Sequence, residues 1–356
     1  MINILAPINS LGYGVAGYNI LKTLHNLYPS TTLYPIGPIE NIDISECVTS
    51  AISNQESHSA DYPCVKIWHQ HDLQTRVGNG RYVGFPIFEL NEFNKKEVVS
   101  LHHCDGVFVC SKWAKQIVVD NTQFNETDVH VVPLGVDTSI FKPSTLKPRK
   151  STIFFNCGKW ERRKGHDVLL ECFTAAFNGS DDIELWMMCD NPFIGEQNQA
   201  WQRLYKESPL GDKIRIIPRQ VGHQDVYNIM CQTDCGVFPA RAEGWNLELL
   251  EMMACGKQVI ATNYSAHTEF CDETNSHLIN TTDLETARDG VFFDGSCGQW
   301  AHVSDSNKEQ LVSHMRQVHQ NKQQGDETIN TAGINTANKF SWDNSVKELL
   351  DGLHHT

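Results

Sequence analysis

Short apolar runs alternate with polar segments of helical spacing along most of the chain, and the alternation restarts once near its middle. Residues 2–6 (INILA) read as a buried strand, and 17–27 puts Ile20, Leu21 and Leu24 on one helical face. Strand-like runs follow at 64–68 (CVKIW), 82–88 (YVGFPIF), 106–110 (GVFVC) and 129–136 (VHVVPLGV), with polar, helix-period segments between the last three. A proline-rich interruption at 137–151 breaks the pattern. It then resumes with strand 152–158 (TIFFNCG), helix 165–177, strands 183–189 and 214–218, helix 224–233, strand 235–240, helix 246–256 and strand 258–262.

Strands alternating with helices predict parallel sheets, so the expected class is α/β with two doubly wound, Rossmann-like domains. In such folds ligands gather at the carboxyl ends of strands, and two domains facing each other place a site in their cleft. The expected division is a first domain over 1–142, a linker at 143–150, a second domain over 151–335 and a closing segment over 336–356. Past residue 305 the chain turns polar and rich in Gln and Asn, and an apolar helical signal returns only at 342–353, where an Asp or Asn cap is expected.

Composition narrows the function classes. An apolar content of 40% over 356 residues can fill two cores. No window approaches the roughly 20 apolar residues of a spanning helix, and the start lacks the basic and apolar regions of a signal peptide, so the expected location is cytoplasmic, with peripheral membrane contact open. The net charge of −14 opposes an extended nucleic-acid surface. The twelve cysteines include no C-x-x-C pair and the sixteen histidines no H-E-x-x-H, so the thiols are expected as small buried hydrophobes, with no metal and no cofactor.

Three stretches offer chemistry. Gly12-Tyr13-Gly14-Val15-Ala16-Gly17 satisfies G-x-G-x-x-G, the pattern that cradles a dinucleotide pyrophosphate. Residues 7–11 separate it from the strand, however, and the acid expected about twenty positions on is met only loosely, by Glu40 or Asp43. The match is therefore accidental as a dinucleotide fingerprint. A second stretch, CGKWERRKGHD (157–167), gathers Lys159, Arg162, Arg163 and Lys164 where a strand ends, a place suited to a diphosphate leaving group. The alternative is a solvated charged turn. The third, PARAEGWNLELLEMMACG (239–256), sets Glu243 on a turn before a helix that carries Glu251. A helix start binds phosphate through free N–H groups, and the two carboxylates can accept hydroxyls of a sugar or ribose. The alternative is an amphipathic helix with Leu247, Leu250 and Met253 inward and its glutamates in solvent.

Together, strand–GKWERRKG–helix and EGWNLELLEMMACG resemble the nucleotide-sugar-binding half of the family 4 glycosyltransferases, retaining enzymes of the GT-B fold. Glu243 and Glu251 meet the family's E-x7-E motif, VHVVPLGVDTSIFKP is similar to its interdomain segment, and KFSWDNSVKELL resembles its closing helix, which commonly crosses back to the first domain. The resemblance implies that Glu251 binds the nucleotide ribose, Glu243 a donor-sugar hydroxyl, and the backbone from Gly244 through Trp245, Asn246 and Leu247 the sugar and phosphates. It gives Lys164 and Lys159 to the diphosphate, and Arg219, Gln220 and Val221 to the nucleobase. Lys159 stands where arginine is frequent, and Asn246 where glycine or proline is usual. Gly12 and Gly14 are implied to face the donor phosphates from a glycine loop. In the first domain, His69 and His71 share one face if their strand continues, and Glu89 stands where the family often has a histidine near the reacting sugar.

The implied activity is metal-independent, retaining transfer of a sugar from a nucleotide-diphosphate sugar, UDP- or GDP-linked, to an acceptor hydroxyl on a glycan, lipid or small molecule. Three other readings share the shape: a nucleotide-sugar epimerase, glucosylation of a hydroxymethylated DNA base, and a non-catalytic binding module.

Overall fold

A computed structural model of the chain describes residues 1–40, 45–146, 149–326 and 328–354. Asp43, positions 147 and 148 of the expected linker, and 355 and 356 of the expected closing segment lie outside the described residues. The chain divides into two compact units, Met1–Gly135 with Phe340–Thr356, and Val136–Lys339. The division at Gly135 falls ahead of the expected boundary at 142, and residues 136–146 group with the second unit because Phe141 is buried there beside the rings of His223 and Tyr227.

The first unit runs β1 (Asn3–Ala6), α1 (Gly12–Leu27), β2 (Thr32–Pro35), α2 (Glu46–Ser53), β3 (Cys64–Lys66), β4 (Tyr82–Gly84), α3 (Lys95–Leu101), β5 (Gly106–Val109), α4 (Lys112–Asn121) and β6 (Val129–Val131). The second runs β7 (Thr152–Gly158), α5 (His166–Ala176), β8 (Ile183–Cys189), α6 (Glu196–Lys206), β9 (Ile214–Ile216), α7 (His223–Met230), β10 (Cys235–Phe238), α8 (Leu247–Ala254), β11 (Gln258–Asn263), β12 (His277–Asn280), the hairpin β13 (Leu284–Arg288) and β14 (Asp294–Ala301), α9 (Asp305–Gln323) and α10 (Thr331–Lys339). Helix α11 (Trp342–His354) returns to the first unit.

Each unit is built on a six-stranded parallel sheet, ordered β2-β1-β3-β4-β5-β6 in the first and β12-β11-β10-β7-β8-β9 in the second. The order reverses between β1 and β3 in one sheet and between β7 and β10 in the other. At such a reversal, consecutive connections leave to opposite faces and open a crevice above the strand ends.

Several expected elements shift. Helix α1 starts at Gly12, not 17, so the glycines lie in its first turns. Strands expected at 64–68, 82–88 and 129–136 are only three residues each, because the chain past Lys66, Gly84 and Val131 leaves the ladder while its apolar side chains, such as Phe85 and Phe88, stay buried. The polar stretch after 305 forms the 19-residue α9, whose Leu311, Met315 and Val318 complete the second core around Phe154, Leu169, Phe173 and Val237. Helix α11 is begun by Ser341, whose hydroxyl accepts the Asn344 N–H at 3.2 Å, rather than by Asp or Asn. Its last turn is held by Arg81, which donates to the carbonyls of Gly352 and Leu353, a cation at the negative end of the helix. Among the described residues no helix is long and apolar enough to cross a membrane.

Candidate active site

The reversal in the second sheet brings together the loop after β7 (159–165) and the loop after β10 (239–246). The cationic stretch and Glu243 lie on these two loops, about eighty residues apart in sequence and in contact in space. Lys164 Nζ is 2.9 Å from Glu243 Oε1, and Arg163 donates to Glu243 Oε2 and to the Ala242 carbonyl, both at 2.8 Å. The same guanidinium turns its other edge to Glu161, with Nε at 3.1 Å and a terminal nitrogen at 2.8 Å from Oε2. Lys159 Nζ closes the row, 2.9 Å from Glu161 Oε1.

This is no solvated turn. Arg163, Lys164 and Glu243 are only 3%, 9% and 5% exposed, and Glu161 is equally buried. Burial alone would raise the carboxyls of Glu243 and Glu161. Lys164 and Arg163 outweigh it at Glu243 and hold that group well below the usual carboxylate range, while Arg163 and Lys159 do the same, less strongly, at Glu161. Burial likewise opposes charge on Lys164, but Glu243 and Glu248 reverse the effect and keep it an ammonium. The row sets three cations against two carboxylates, with Lys159 at its part-exposed end and Glu248 acting on Lys164 from the start of α8.

Local geometry fixes these groups. Gly165, at φ +74°, lets the chain enter α5 with its Cα pressed on Pro239, where a Cβ would lie 2.1 Å from the carbonyl oxygen. His166 accepts the Glu161 N–H at Nδ1 and donates from Nε2 to Asn156 Oδ1, which requires the neutral ring. Burial, helped by Lys164, lowers its pKa to about 3. Arg241 braces the second loop by a fork on Asp167, at 2.8 and 2.9 Å, and by Nε on Glu285 at 3.0 Å.

Asn246 opens α8 at φ 85°, ψ 76°, a left-handed position that asparagine tolerates, and its side-chain oxygen accepts the Leu249 N–H at 3.2 Å. Its Nδ2 donates to His267 Nε2 at 2.9 Å while His267 Nδ1 donates to the Thr262 carbonyl, so this histidine is neutral too. Burial lowers its pKa in the same sense. Leu247 and Glu248, at the first helical positions, have no acceptor within the helix. Glu251 is buried rather than solvated, and its carboxyl is raised well above the usual range by burial and by Glu248. The site can thus offer an ammonium pair, helix N–H groups, and two carboxyls of opposite protonation tendency.

The nucleobase candidates Arg219, Gln220 and Val221 lie on the loop after β9, two strands from β7, with Val221 exposed and Gln220 turned to the Pro218 carbonyl at 2.8 Å. Two residues absent from the sequence reading stand beside Lys159. Phe193, after β8, and Phe292, in the hairpin, are 63% and 45% exposed, and their rings lie 5.8 and 5.7 Å from Lys159 Nζ. Glu161 was missed as well, since only the fold shows a carboxylate in this turn to be a buried counter-ion.

In the first unit, the reversal between β1 and β3 collects the other candidates. His69 and His71 lie beyond the end of β3, not on a strand face; their rings stack at 5.3 Å, with His71 exposed. Tyr13, in the first turn of α1, packs 4.6 Å from His69, donates from its hydroxyl to the Ile87 carbonyl at 2.8 Å and accepts the Ile87 N–H at 2.7 Å. Glu89 is near enough to add to the effect of burial in raising the Tyr13 hydroxyl. Gly14 is buried, and a Cβ there would lie 2.1 Å from Asn9 Oδ1, so this glycine is required by the turn itself. Gly12 is exposed, with nothing within 4 Å of a Cβ. Glu40 accepts from the Ser10 N–H and hydroxyl, at 3.2 and 3.0 Å, and so serves the turn.

Residues 151–291 match the family described as Glycosyl transferases group 1. Among curated proteins the chain is similar to a human phosphatidylinositol N-acetylglucosaminyltransferase subunit, 24% identical over 72% of this chain and 52% of that protein. It is also similar to a D-inositol 3-phosphate glycosyltransferase of Salinispora tropica, 24% identical over 66% of this chain and 47% of that protein. The chain spans about half the length of these curated relatives. Among solved structures it superposes on a glycosyltransferase from Rickettsia africae with a TM-score of 0.70 at 15% identity, covering 98% of this chain and 96% of that one. On Anabaena HepE in complex with UDP and glucose the TM-score is 0.68 at 13% identity, covering 98% of both. The fold is GT-B, and these likenesses support a GT-B glycosyltransferase.

Proposed function

We propose that the chain transfers a sugar, with retention at the anomeric carbon and without a metal, from a UDP- or GDP-linked donor to an acceptor hydroxyl. The observation that carries this reading is the ion-paired row Lys159–Glu161–Arg163–Glu243–Lys164, buried from Glu161 onward and set beside the start of α8. A diphosphate would be held by the row's lysines. Competing for Lys164, it frees one Glu243 oxygen to accept a sugar hydroxyl while Arg163 keeps that carboxylate in place. As the glycosidic bond breaks, charge grows on the leaving phosphate, where Lys164, Lys159 and the Leu247 and Glu248 amides stabilise it. Glu251, the buried and unpaired carboxyl, is the group for a ribose hydroxyl.

HepE was solved in complex with UDP and glucose, which favours a uridine donor for this chain. The matched curated relatives are named for transfer to inositol-containing acceptors, which makes a polyol hydroxyl the first acceptor to try.

The test incubates the chain with UDP- or GDP-sugars and candidate acceptors, with and without EDTA. Nucleoside diphosphate release, product mass and the anomeric proton coupling are measured. Acceptor-dependent release with the donor's configuration kept and no loss in EDTA is expected. Inverted product, strict need for a divalent metal, or a modified nucleotide sugar formed without acceptor would each overturn the reading.

A further inference from the structure

Among the described non-glycine residues only Asn246 and Ser265 have a positive φ, at 85° and 53°. Both are buried. Asn246 ends the loop that carries Glu243, and Ser265 begins the 3-10 turn Ser265–Glu269 that follows β11. A backbone of this kind is strained, and it persists only where its surroundings over-determine it.

The hydrogen bonds around the two residues supply that constraint. Ser265 Oγ accepts the Glu243 N–H at 2.9 Å, and the Glu243 carbonyl accepts the Ala266 N–H at 3.2 Å, so the turn grips both backbone groups of the carboxylate's own residue. His267, also buried, joins the same turn to Asn246, and its roles are forced from both ends. The Thr262 carbonyl, 2.9 Å from Nδ1, can only accept, so Nδ1 carries the proton. The Leu249 N–H can only donate, so it meets the Asn246 oxygen and turns Asn246 Nδ2 to His267 Nε2, which accepts at 2.9 Å. One run of hydrogen bonds, all in the same direction, thus leads from the first turn of α8 to the end of β11. With both ring nitrogens engaged, His267 has nothing left to offer a substrate.

We propose that His267 and Ser265 are positioning residues for the proposed transfer: His267, through Asn246, aims the Leu247 and Glu248 N–H groups at the donor phosphates, and Ser265 sets the backbone from which Glu243 reaches the donor sugar.

This rests on the reading of the site as one for a nucleotide sugar. A buried amide N–H that loses its acceptor is costly, so without Nε2 the Asn246 side chain turns to find another, and the helix start turns with it. A displacement of about 1 Å at a group that stabilises developing charge can cost up to about 10²-fold in rate. Lys164 and Arg163 are held by their own ion pairs and still bind the diphosphate. The loss therefore falls on kcat and leaves ground-state affinity nearly intact.

The test compares wild type with His267→Phe, His267→Gln and Ser265→Gly in donor turnover, in UDP and GDP affinity by calorimetry, and in melting. The His267 tautomer is read from proton–nitrogen correlations of the ring, assigned by their loss in His267→Gln. The Nδ1–H tautomer is expected at pH 7. His267→Phe, which keeps a ring beside Phe270, should lose about 10- to 100-fold in kcat with diphosphate affinity within about threefold. His267→Gln, whose amide oxygen can again accept from Asn246, should recover most of that loss. Ser265→Gly relieves the strain but removes the acceptor for Glu243, so kcat should fall while melting holds or rises. An Nε2–H tautomer, kcat as low in His267→Gln as in His267→Phe, or wild-type kcat in either His267→Phe or Ser265→Gly would overturn the proposal. Wild type that transfers nothing would overturn the proposed activity instead. The brace is then judged by melting, where His267→Phe should fall below His267→Gln and equal values would overturn it.

Discussion

The first turn of each sheet solves the same problem by different means. In the first unit the chain leaves β1, folds Pro7–Leu11 over the strand end and enters α1 through glycines, held by close backbone contact at Gly14 and by Glu40 on Ser10. In the second unit the chain leaves β7 through Lys159 to Gly165 and is held by buried ion pairs. Close packing of small residues needs nothing further to be stable. Buried carboxylates held by lysines and an arginine keep cations that an incoming anion can share, and such a cluster of perturbed ionisable groups marks a binding site more reliably than a glycine pattern does. The G-x-G-x-x-G match is closely packed at Gly14 and Gly17 and open at Gly12, whereas the plainer-looking charge run holds the buried ion pairs.

The largest effect expected from breaking the second turn is on turnover. Lys164→Ala removes the ammonium but leaves Glu243 paired with Arg163, so the fold should persist while transfer falls about 10²–10³-fold, the range for loss of one donor to a developing oxyanion. Turnover within threefold of wild type, measured at saturating donor, would detach the charged row from catalysis. Breaking the first turn should instead cost stability. Gly14→Ala places a Cβ 2.1 Å from Asn9 Oδ1 and 2.3 Å from its carbonyl oxygen, an overpacking worth about 1–3 kcal/mol. Thermal melting should drop by several degrees, at about 2–4 °C per kcal/mol, and an unchanged melt would mean the turn relaxes freely.

The two turns should also part in acid. His166 is held neutral with its pKa near 3, whereas an unfolded histidine titrates near 6.5. As pH falls below about 6.5 the unfolded chain takes up a proton that the folded chain refuses, so stability is lost progressively down to about 3. By pH 5 that amounts to about 2 kcal/mol at most, at 1.36 kcal/mol per unit. The depressed Glu243 adds its own loss only below its unfolded value, about 4.3. Because protonation of the raised Glu251 carboxyl works in the opposite sense, the check is a difference: urea unfolding at pH 7 and pH 5 should show less acid loss in His166→Gln than in wild type, and an equal change with pH in the two proteins would contradict the neutral, buried ring.

How much of this was legible depended on what each feature answers to. The buried strands β1, β5, β7, β8 and β10 read directly as apolar runs, because a strand covered on both faces has no polar positions to dilute the signal. Helix α9 was hidden because it buries only a narrow stripe, Leu311, Met315 and Val318, among Gln, Asn and His. The hairpin β13–β14 was hidden because most of its residues face solvent and its anchoring is polar: Glu285 accepts from Trp300, His302 and Arg241. Lys159, Lys164, Glu243 and Glu251 were legible by resemblance. That Arg163 bridges Glu161 to Glu243 was not, since the partners lie about eighty residues apart and burial decides their charge.

Smaller effects belong to the helix starts. Asn246 combines a left-handed backbone with a cap, and the two can be separated. Asn246→Gly keeps the backbone and should change stability by only a few tenths of a kcal/mol, whereas Asn246→Ala loses the cap and adds strain at φ 85°, about 1–3 kcal/mol together. Equal melting of the two variants would show that neither the cap nor the angle matters at this turn.

The least disruptive change is the sharpest test of the comparison. Gly12 opens α1 in a backbone any residue can adopt, and a Cβ there meets nothing within 4 Å. Alanine is favoured over glycine in helices by up to about 1 kcal/mol, so Gly12→Ala should leave melting unchanged or raise it slightly. If packing is the whole reason for the pattern, transfer should be unchanged too. If Gly12 keeps its bare backbone for a ligand's sake, transfer should fall while melting does not, with the fall appearing in the donor or acceptor KM. Only a loss of activity without a loss of stability would restore a functional role to the glycines at the start of the chain.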